Sequence, residues 1–124
     1  MVKKVLIVDD EADIASSVKM LIDGMGFSSR VVNNGAAALD VIKKEKFDLV
    51  LLDILMPQMS GREVLEKIRA DSKLKKQKVA FLSVVQLSTE GKDSVKKLKP
   101  VEYFQKPITD LNEFKTKIKR ILSQ

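Results

Sequence analysis

Five side chains of this sequence have the types and positions to do chemistry together. Asp9 and Asp10, with Glu11 next, follow the apolar run Val5–Val8. Asp53 follows a second apolar run, Leu49–Leu52, and Ser83 follows Val79–Leu82. Lys106 precedes Pro107, just beyond Val101–Phe104. Asp9, Asp10 and Asp53 held within a few ångströms would raise one another's pKa, because like charges disfavour ionisation. A hard divalent cation removes that conflict, and Mg²⁺ suits one or two carboxylates, a carbonyl, waters and a phosphoryl oxygen. Lys106 would bring a mobile positive charge to a phosphoryl group. Ser83 can donate a hydrogen bond to another of its oxygens. An aspartate can itself attack phosphorus and form an acyl phosphate. Positioning and electrostatics carry most of such a transfer.

Absences narrow the chemistry further. The chain has no cysteine and no histidine. That excludes a disulfide framework, thiol catalysis, cysteine- or histidine-ligated metal, and any imidazole acid–base step. With 124 residues, 44% apolar and 32% charged, it has the size and composition of one globular domain, expected to span 1–124. Runs such as Leu49–Leu52 fall far short of the ~20 apolar residues of a membrane span, and no signal-peptide stretch follows Met1. A cytoplasmic protein without membrane insertion is expected. Charge is uneven: residues 1–62 carry 8 Lys/Arg and 9 Asp/Glu, whereas residues 63–124 carry 15 and 8. A basic half fits an acidic protein partner or nucleic acid, or merely lysines solvating helix faces. Five Phe and one Tyr are the only aromatics, which disfavours a stacking platform for nucleic acid.

Alternating strand and helix patterns must position the five side chains. Val5–Val8, Leu49–Leu52 and Val79–Leu82 are continuous apolar runs, the pattern of strands buried on both faces. Arg30–Val32 reads as a weaker strand and Val101–Phe104 as the fifth. Between them, Ile14, Val18, Leu21, Ile22 and Met25 recur at helical spacing, ending near Gly24 and Gly26. Asn33-Asn34-Gly35 makes a turn into an alanine-rich helix over Ala36–Lys46, with Leu39 and Ile42 inward. Pro57 and Gly61 punctuate a loop before a helix carrying Val64, Leu65 and Ile68. Val95 and Leu98 suggest a helix before Pro100, and Leu111, Phe114, Ile118, Ile121 and Leu122 an amphipathic closing helix. Five strand–helix units of this kind predict an α/β fold with a five-stranded parallel sheet covered on both faces. Right-handed crossovers favour the flavodoxin-like order 2-1-3-4-5. Ligands in such folds bind beyond the carboxyl ends of the strands, where all five side chains stand.

Those pieces, taken in order, carry a resemblance. Val5-Leu6-Ile7-Val8-Asp9-Asp10, Leu49 to Pro57 with Gly61, Ser83, and Tyr103-Phe104-Gln105-Lys106-Pro107 resemble, across the whole chain, the receiver domain of two-component response regulators, stand-alone chemotaxis-type regulators included. The resemblance implies that Asp53 is the phosphoacceptor. It implies that Asp10 and Asp53 bind Mg²⁺ directly with the Leu55 carbonyl, and Asp9 through water. Ser83 and Lys106 would hold the phosphoryl group, Tyr103 would change rotamer on activation, and the Lys106–Pro107 bond would be cis. A histidine kinase or phosphotransfer protein would supply phosphate. Output would leave through the fourth helix, fifth strand and fifth helix by binding another protein, unless the chain is an excised fragment. Such a chain is a signalling protein rather than an enzyme, although it assists its own phosphoryl transfer and dephosphorylation.

Other readings bear on the same residues. Asp9 and Asp10 could cap a helix, Ser83 could be an ordinary strand-end hydroxyl, and Lys106 could face solvent. Tyr103 could equally be a strand tyrosine packed on the sheet, while Asp13, Asp48 and Glu90 read as surface or capping charges. A flavodoxin-like cofactor binder would need a phosphate-cradling loop where Asp9-Asp10-Glu11 repels phosphate. An aspartate-dependent phosphohydrolase usually carries a second carboxylate two residues after its nucleophile, and Leu55 stands there. The same fold with an idle site would serve as a constitutive interaction module. Two departures from the family pattern matter. Val84 follows Ser83 where Ala or Gly is usual, and with Val85 and Leu87 it would restrict access of water and bulky phosphodonors. Lys99-Pro100 precedes the fifth strand where Gly-Ala is common.

Overall fold

The computed structural model describes residues 2–85 and 89–124, and the side chains of Thr89 and Glu90 lie outside that description. Ten elements alternate along the chain: β1 (Lys4–Val8), α1 (Ala12–Gly24), β2 (Ser28–Val32), α2 (Gly35–Lys44), β3 (Leu49–Leu52), α3 (Gly61–Ala70), β4 (Val79–Ser83), α4 (Thr89–Lys96), β5 (Glu102–Gln105) and α5 (Leu111–Leu122). The strands form one parallel sheet in the order β2-β1-β3-β4-β5, the topology expected from the sequence. Among the described residues, no helix is long and apolar enough to cross a membrane.

Continuous apolar strands follow from burial on both faces. Successive side chains of a strand point to opposite sides. Val5, Ile7, Leu49, Leu51, Ala80 and Leu82 therefore pack with Ala15, Val18 and Ile22 of α1 and Phe114, Ile118, Ile121 and Leu122 of α5. Leu6, Val8, Val50, Leu52, Val79 and Phe81 face the other way, onto residues of α2, α3 and α4 that include Ala38, Ile42, Val64, Leu65, Ile68 and Val95. The edge strands β2 and β5 are only partly covered, which is why their sequence signal is weaker.

Local chemistry sets where helices begin. The Asn34 side chain accepts from the Ala37 N–H at 2.8 Å, starting α2 at Gly35 rather than Ala36. Ser60 caps α3 through the Glu63 N–H at 3.2 Å, and Asp110 caps α5 through the Glu113 N–H at 2.9 Å. Other details also differ from the sequence expectation: β2 begins at Ser28 rather than Arg30, and α2 ends at Lys44 rather than Lys46. β5 runs one residue later than Val101–Phe104: the Val101 N–H still reaches the Val79 carbonyl at 2.8 Å, but its side chain is exposed beyond the core. Leu111, expected inward, is exposed, because a side chain at the first helical position points back past the end of the core.

One glycine governs how α3 meets the sheet. A Cβ on Gly61 would lie 2.0 Å from the Asp53 carbonyl oxygen, and the Gly61 N–H donates to the Ile54 carbonyl at 2.9 Å. The loop between them turns through Gln58 at φ 69°. Gly24, at the end of α1, has nothing within 4 Å of its would-be Cβ and no positive φ. The two glycines should respond oppositely to alanine. Gly24→Ala should stabilise by up to about 1 kcal/mol. Gly61→Ala should destabilise by about 2 kcal/mol or more, since backbone must move. Urea-denaturation midpoints of the two variants test both signs.

Candidate functional site

Strand register brings the polar residues to one rim. Val8 pairs with Leu52, so the next residues, Asp9 and Asp53, are neighbours at the carboxyl end of the sheet. The Asp9 N–H donates to the Val32 carbonyl at 3.2 Å and the Asp53 N–H to the Val8 carbonyl at 3.0 Å, continuing the ladder to the aspartates. Ser83 pairs with Gln105, and the Lys106 N–H donates to the Ser83 carbonyl at 2.9 Å. The Lys106–Pro107 bond is cis.

The structure brings Asp9, Asp53, Ser83 and Lys106 together and buries them. Asp9 and Asp53 are each 3% exposed and Ser83 is wholly buried. The Lys106 ammonium, on a side chain 4% exposed, donates to Asp9 Oδ2 at 2.5 Å and Asp53 Oδ2 at 3.2 Å. The other carboxylate oxygens are also held: Asp9 Oδ1 accepts the Glu11 N–H at 3.0 Å and Asp53 Oδ1 the Leu55 N–H at 3.2 Å. Asp10 is exposed, yet it can bring an oxygen into a set with Asp9 and Asp53 whose members lie within 4.8 Å of one another.

The electrostatics follow from two acids and one base in a nearly dry site. Burial pushes the Asp9 carboxyl up, and the charge of Asp53 adds to the rise. The Lys106 bond and the Glu11 N–H oppose this without reversing it. Burial alone would lower the Lys106 ammonium, but Asp9 and Asp53 together outweigh it and raise its pKa. Burial thus dominates the Asp9 shift, whereas the two carboxylates dominate that of Lys106.

Several alternative readings lose their footing here. The N-cap of α1 is Glu11, with no side-chain cap, so neither Asp9 nor Asp10 serves as that cap. Lys106 faces inward, not into solvent. Leu55, two residues after Asp53, presents an exposed apolar side chain where a phosphohydrolase would carry an acid. Asp48 accepts the Lys4 N–H at 2.8 Å, a structural role, and Asp13 is exposed in the first turn of α1.

Tyr103 packs on the sheet and also reaches the loop after β4. Its ring packs 5.9 Å from Phe81 on the sheet face, while its hydroxyl donates to the Val85 carbonyl at 2.5 Å. Burial raises its pKa, and the nearby charge of Asp53 adds to that rise, partly offset by the Ser83 hydroxyl beside it. Val84 is exposed and Val85 half-buried, whereas Leu87 lies outside the described residues. Gly61 reads in the sequence as loop punctuation and as part of the Leu49–Pro57 motif; its steric role shows only when α3 is seated against Asp53.

Comparison with known proteins agrees with this geometry. A model of the response regulator receiver domain family matches residues 5–119. The regulatory protein VanRc of Enterococcus gallinarum is 32% identical over 97% of this chain and 52% of its own length. The DNA-binding response regulator MtrA of Mycolicibacterium paratuberculosis is 39% identical over 58% of this chain and 32% of its own. The chain thus spans about half the length of the first and about a third of the second. A CheY-like response regulator receiver domain protein from Methanospirillum hungatei superposes with a TM-score of 0.88 at 28% identity, covering 99% of this chain and 95% of that one.

The charge imbalance of the trio has opposite consequences for its members. Lys106→Met should destabilise by about 3–5 kcal/mol, because two buried carboxylates lose their counter-ion. Asp53→Asn leaves one carboxylate facing one ammonium and should not lower stability. Thermal melts in the presence of a chelator check both.

Proposed function

Because the chain belongs to the response regulator receiver domain family, we propose that it accepts a phosphoryl group on Asp53 and signals by changing its affinity for another protein. The family is a signalling one, and its phosphoryl chemistry serves that end. The observation that carries the reading is the buried Asp9–Lys106–Asp53 trio beside exposed Asp10.

The donor set fits Mg²⁺. Asp9, Asp10 and Asp53 offer hard oxygen ligands within 4.8 Å of one another, and a single ammonium leaves the buried pair short of positive charge. Asp10 and Asp53 would hold the ion directly with the Leu55 carbonyl, and Asp9 through water. Bound there, the ion supplies charge neutralisation and a template for phosphoryl oxygens.

The chain's own residues do the rest. A carboxylate oxygen of Asp53 attacks phosphorus, the bond from phosphorus to the donor breaks, and the leaving group departs with that bond's electron pair. An acyl phosphate remains. The Lys106 ammonium, already 3.2 Å from Asp53 Oδ2, needs only a small side-chain shift to pair with a phosphoryl oxygen. Ser83 accepts the Val85 N–H at 3.4 Å, and its hydroxyl, which also bonds Tyr103, would turn its hydrogen to another phosphoryl oxygen. Drawing Ser83 inward disturbs the Val85 and Tyr103 hydrogen bonds beside it. Tyr103 and Val85 also line a groove of about 720 Å³ with Val95, Lys96, Pro100 and Val101, so the change reaches the α4–β5–α5 face. A histidine kinase or phosphotransfer protein would be the donor and a protein bound at that face the target. The apolar residues Val85, Val95, Pro100 and Val101 in its lining suit a protein side chain more than a phosphate backbone.

A small phosphodonor with Mg²⁺ should add one phosphoryl mass to the chain. The gain should vanish in Asp53→Asn and with chelator, and unchanged modification of Asp53→Asn would refute the assignment. Ser83→Ala should still be phosphorylated but lose the activation-dependent NMR shifts in β5.

Val84 sets the lifetime of that state in this reading. Exposed directly after Ser83, its branched side chain has little rotamer freedom to clear the path of an in-line water. An obstruction worth ~1.4 kcal/mol slows hydrolysis about tenfold. Val84→Ala should shorten the phosphate lifetime several-fold while leaving Mg²⁺ binding unchanged, measured by loss of the phosphorylated mass with time.

A further inference from the structure

At the pole of the sheet opposite Asp53, the connections entering β4 and β5 meet around a concavity of about 560 Å³. Arg69, Lys75, Lys76, Lys78, Lys97 and Lys99 line it with Gln77 and Val101, and among the described residues no carboxylate does. The whole chain mixes 23 Lys and Arg with 17 Asp and Glu. Six cations and no acid in one wall therefore depart sharply from its average.

Arg69 explains how the lysines are gathered. Its Nε donates to the Leu98 carbonyl at 2.7 Å, Nη1 to the carbonyls of Lys75 and Gln77 at 3.0 and 2.7 Å, and Nη2 to the Lys99 carbonyl at 3.1 Å. One rigid fork of donors thus ties two separate turns to the end of α3. Lys99 sits there at φ 55°, a left-handed backbone that lysine rarely adopts, with its carbonyl held by Arg69. Lys78 is committed to the carbonyls of Ile121 and Gln124. Lys75, Lys76, Lys97 and Lys99 have no ion pair among the described residues. Unpaired cations carried on a backbone held around a concavity focus a positive potential into it.

We propose that this concavity docks an acidic polypeptide segment. Its Asp and Glu side chains pair with Lys75, Lys76, Lys97 and Lys99, and an apolar residue covers Val101, which is 42% exposed. Charge complementarity selects the occupant. Single-stranded nucleic acid fits less well, because among the described residues no aromatic ring lines the site for stacking. The Gln77 amide, which could otherwise read an adenine edge, already donates to the carbonyls of Phe47 and Lys78. The surface is separate from the Asp53 rim and does not depend on phosphorylation. Through Val101, which lies in both walls, it adjoins the α4–β5 groove.

Titration of the isotope-labelled full chain with a Glu/Asp-rich peptide, a Lys-rich peptide and a short DNA duplex tests this by NMR. The acidic peptide should shift the amides of residues 75–78 and 97–101 in a saturable way, weakening as salt rises. The paired substitution Lys97→Gln and Lys99→Gln should weaken it about tenfold, as expected when two close ion pairs are lost. Arg69→Lys keeps the charge but has too few donors for four carbonyls, so it should also weaken binding. Lys75→Gln with Lys76→Gln, on an exposed turn, provides a second variant that should keep the fold. Absence of saturable shifts, equal affinity of the lysine variants, or tighter binding of duplex DNA at the same amides would overturn the proposal.

Discussion

The site and its surroundings are organised by one electrostatic constraint: two carboxylates buried beside one ammonium. Burying a charge without partners is costly, so Asp9 and Asp53 can sit at 3% exposure only if the chain delivers donors to them. It does so from distant parts of the sequence. Lys106 arrives at the end of β5, while the Glu11 and Leu55 N–H groups turn back from the two loops that follow the aspartates. Each delivery requires the strands to end in register, and that register in turn requires the two-sided apolar core. A central sheet whose strands ended raggedly would leave these charges stranded.

The same constraint explains what was legible in the sequence. A continuous apolar run such as Leu49–Leu52 is unambiguous because burial on both faces tolerates no polar residue. The abrupt appearance of Asp53 after it marks the rim for the same reason. β5 is less legible: as an edge strand it is only partly covered, so Val101 could be apolar without belonging to the core, and the strand begins one residue later. Leu111 misled for a related reason, since helical spacing fixes a face but not where along the helix the core stops.

Contacts away from the rim, where a side chain answers backbone groups of distant turns, were not legible. Nothing in the type or spacing of Arg69 distinguishes it from the other cations of the basic half. Its four carbonyl partners exist only once α3, β4 and β5 are assembled. Gly61 is similar, for a glycine that breaks a loop and a glycine pressed against a carbonyl read alike in one dimension. Side chains whose role is to permit an approach, or to answer backbone groups from elsewhere, leave little trace in local pattern.

The close approach at Gly61 also has a mechanical consequence. With a hypothetical methyl only 2.0 Å from its carbonyl oxygen, the peptide group of Asp53 is wedged against the start of α3 and has no slack on that side. The facing wall is built differently: Ser83, Val85 and Tyr103 are linked through single hydrogen bonds of side-chain hydroxyls. One wall is an anvil and the other a lever. A load placed on the Asp53 side chain would therefore deflect the β4–β5 side, with α3 as the stationary frame against which that deflection is measured.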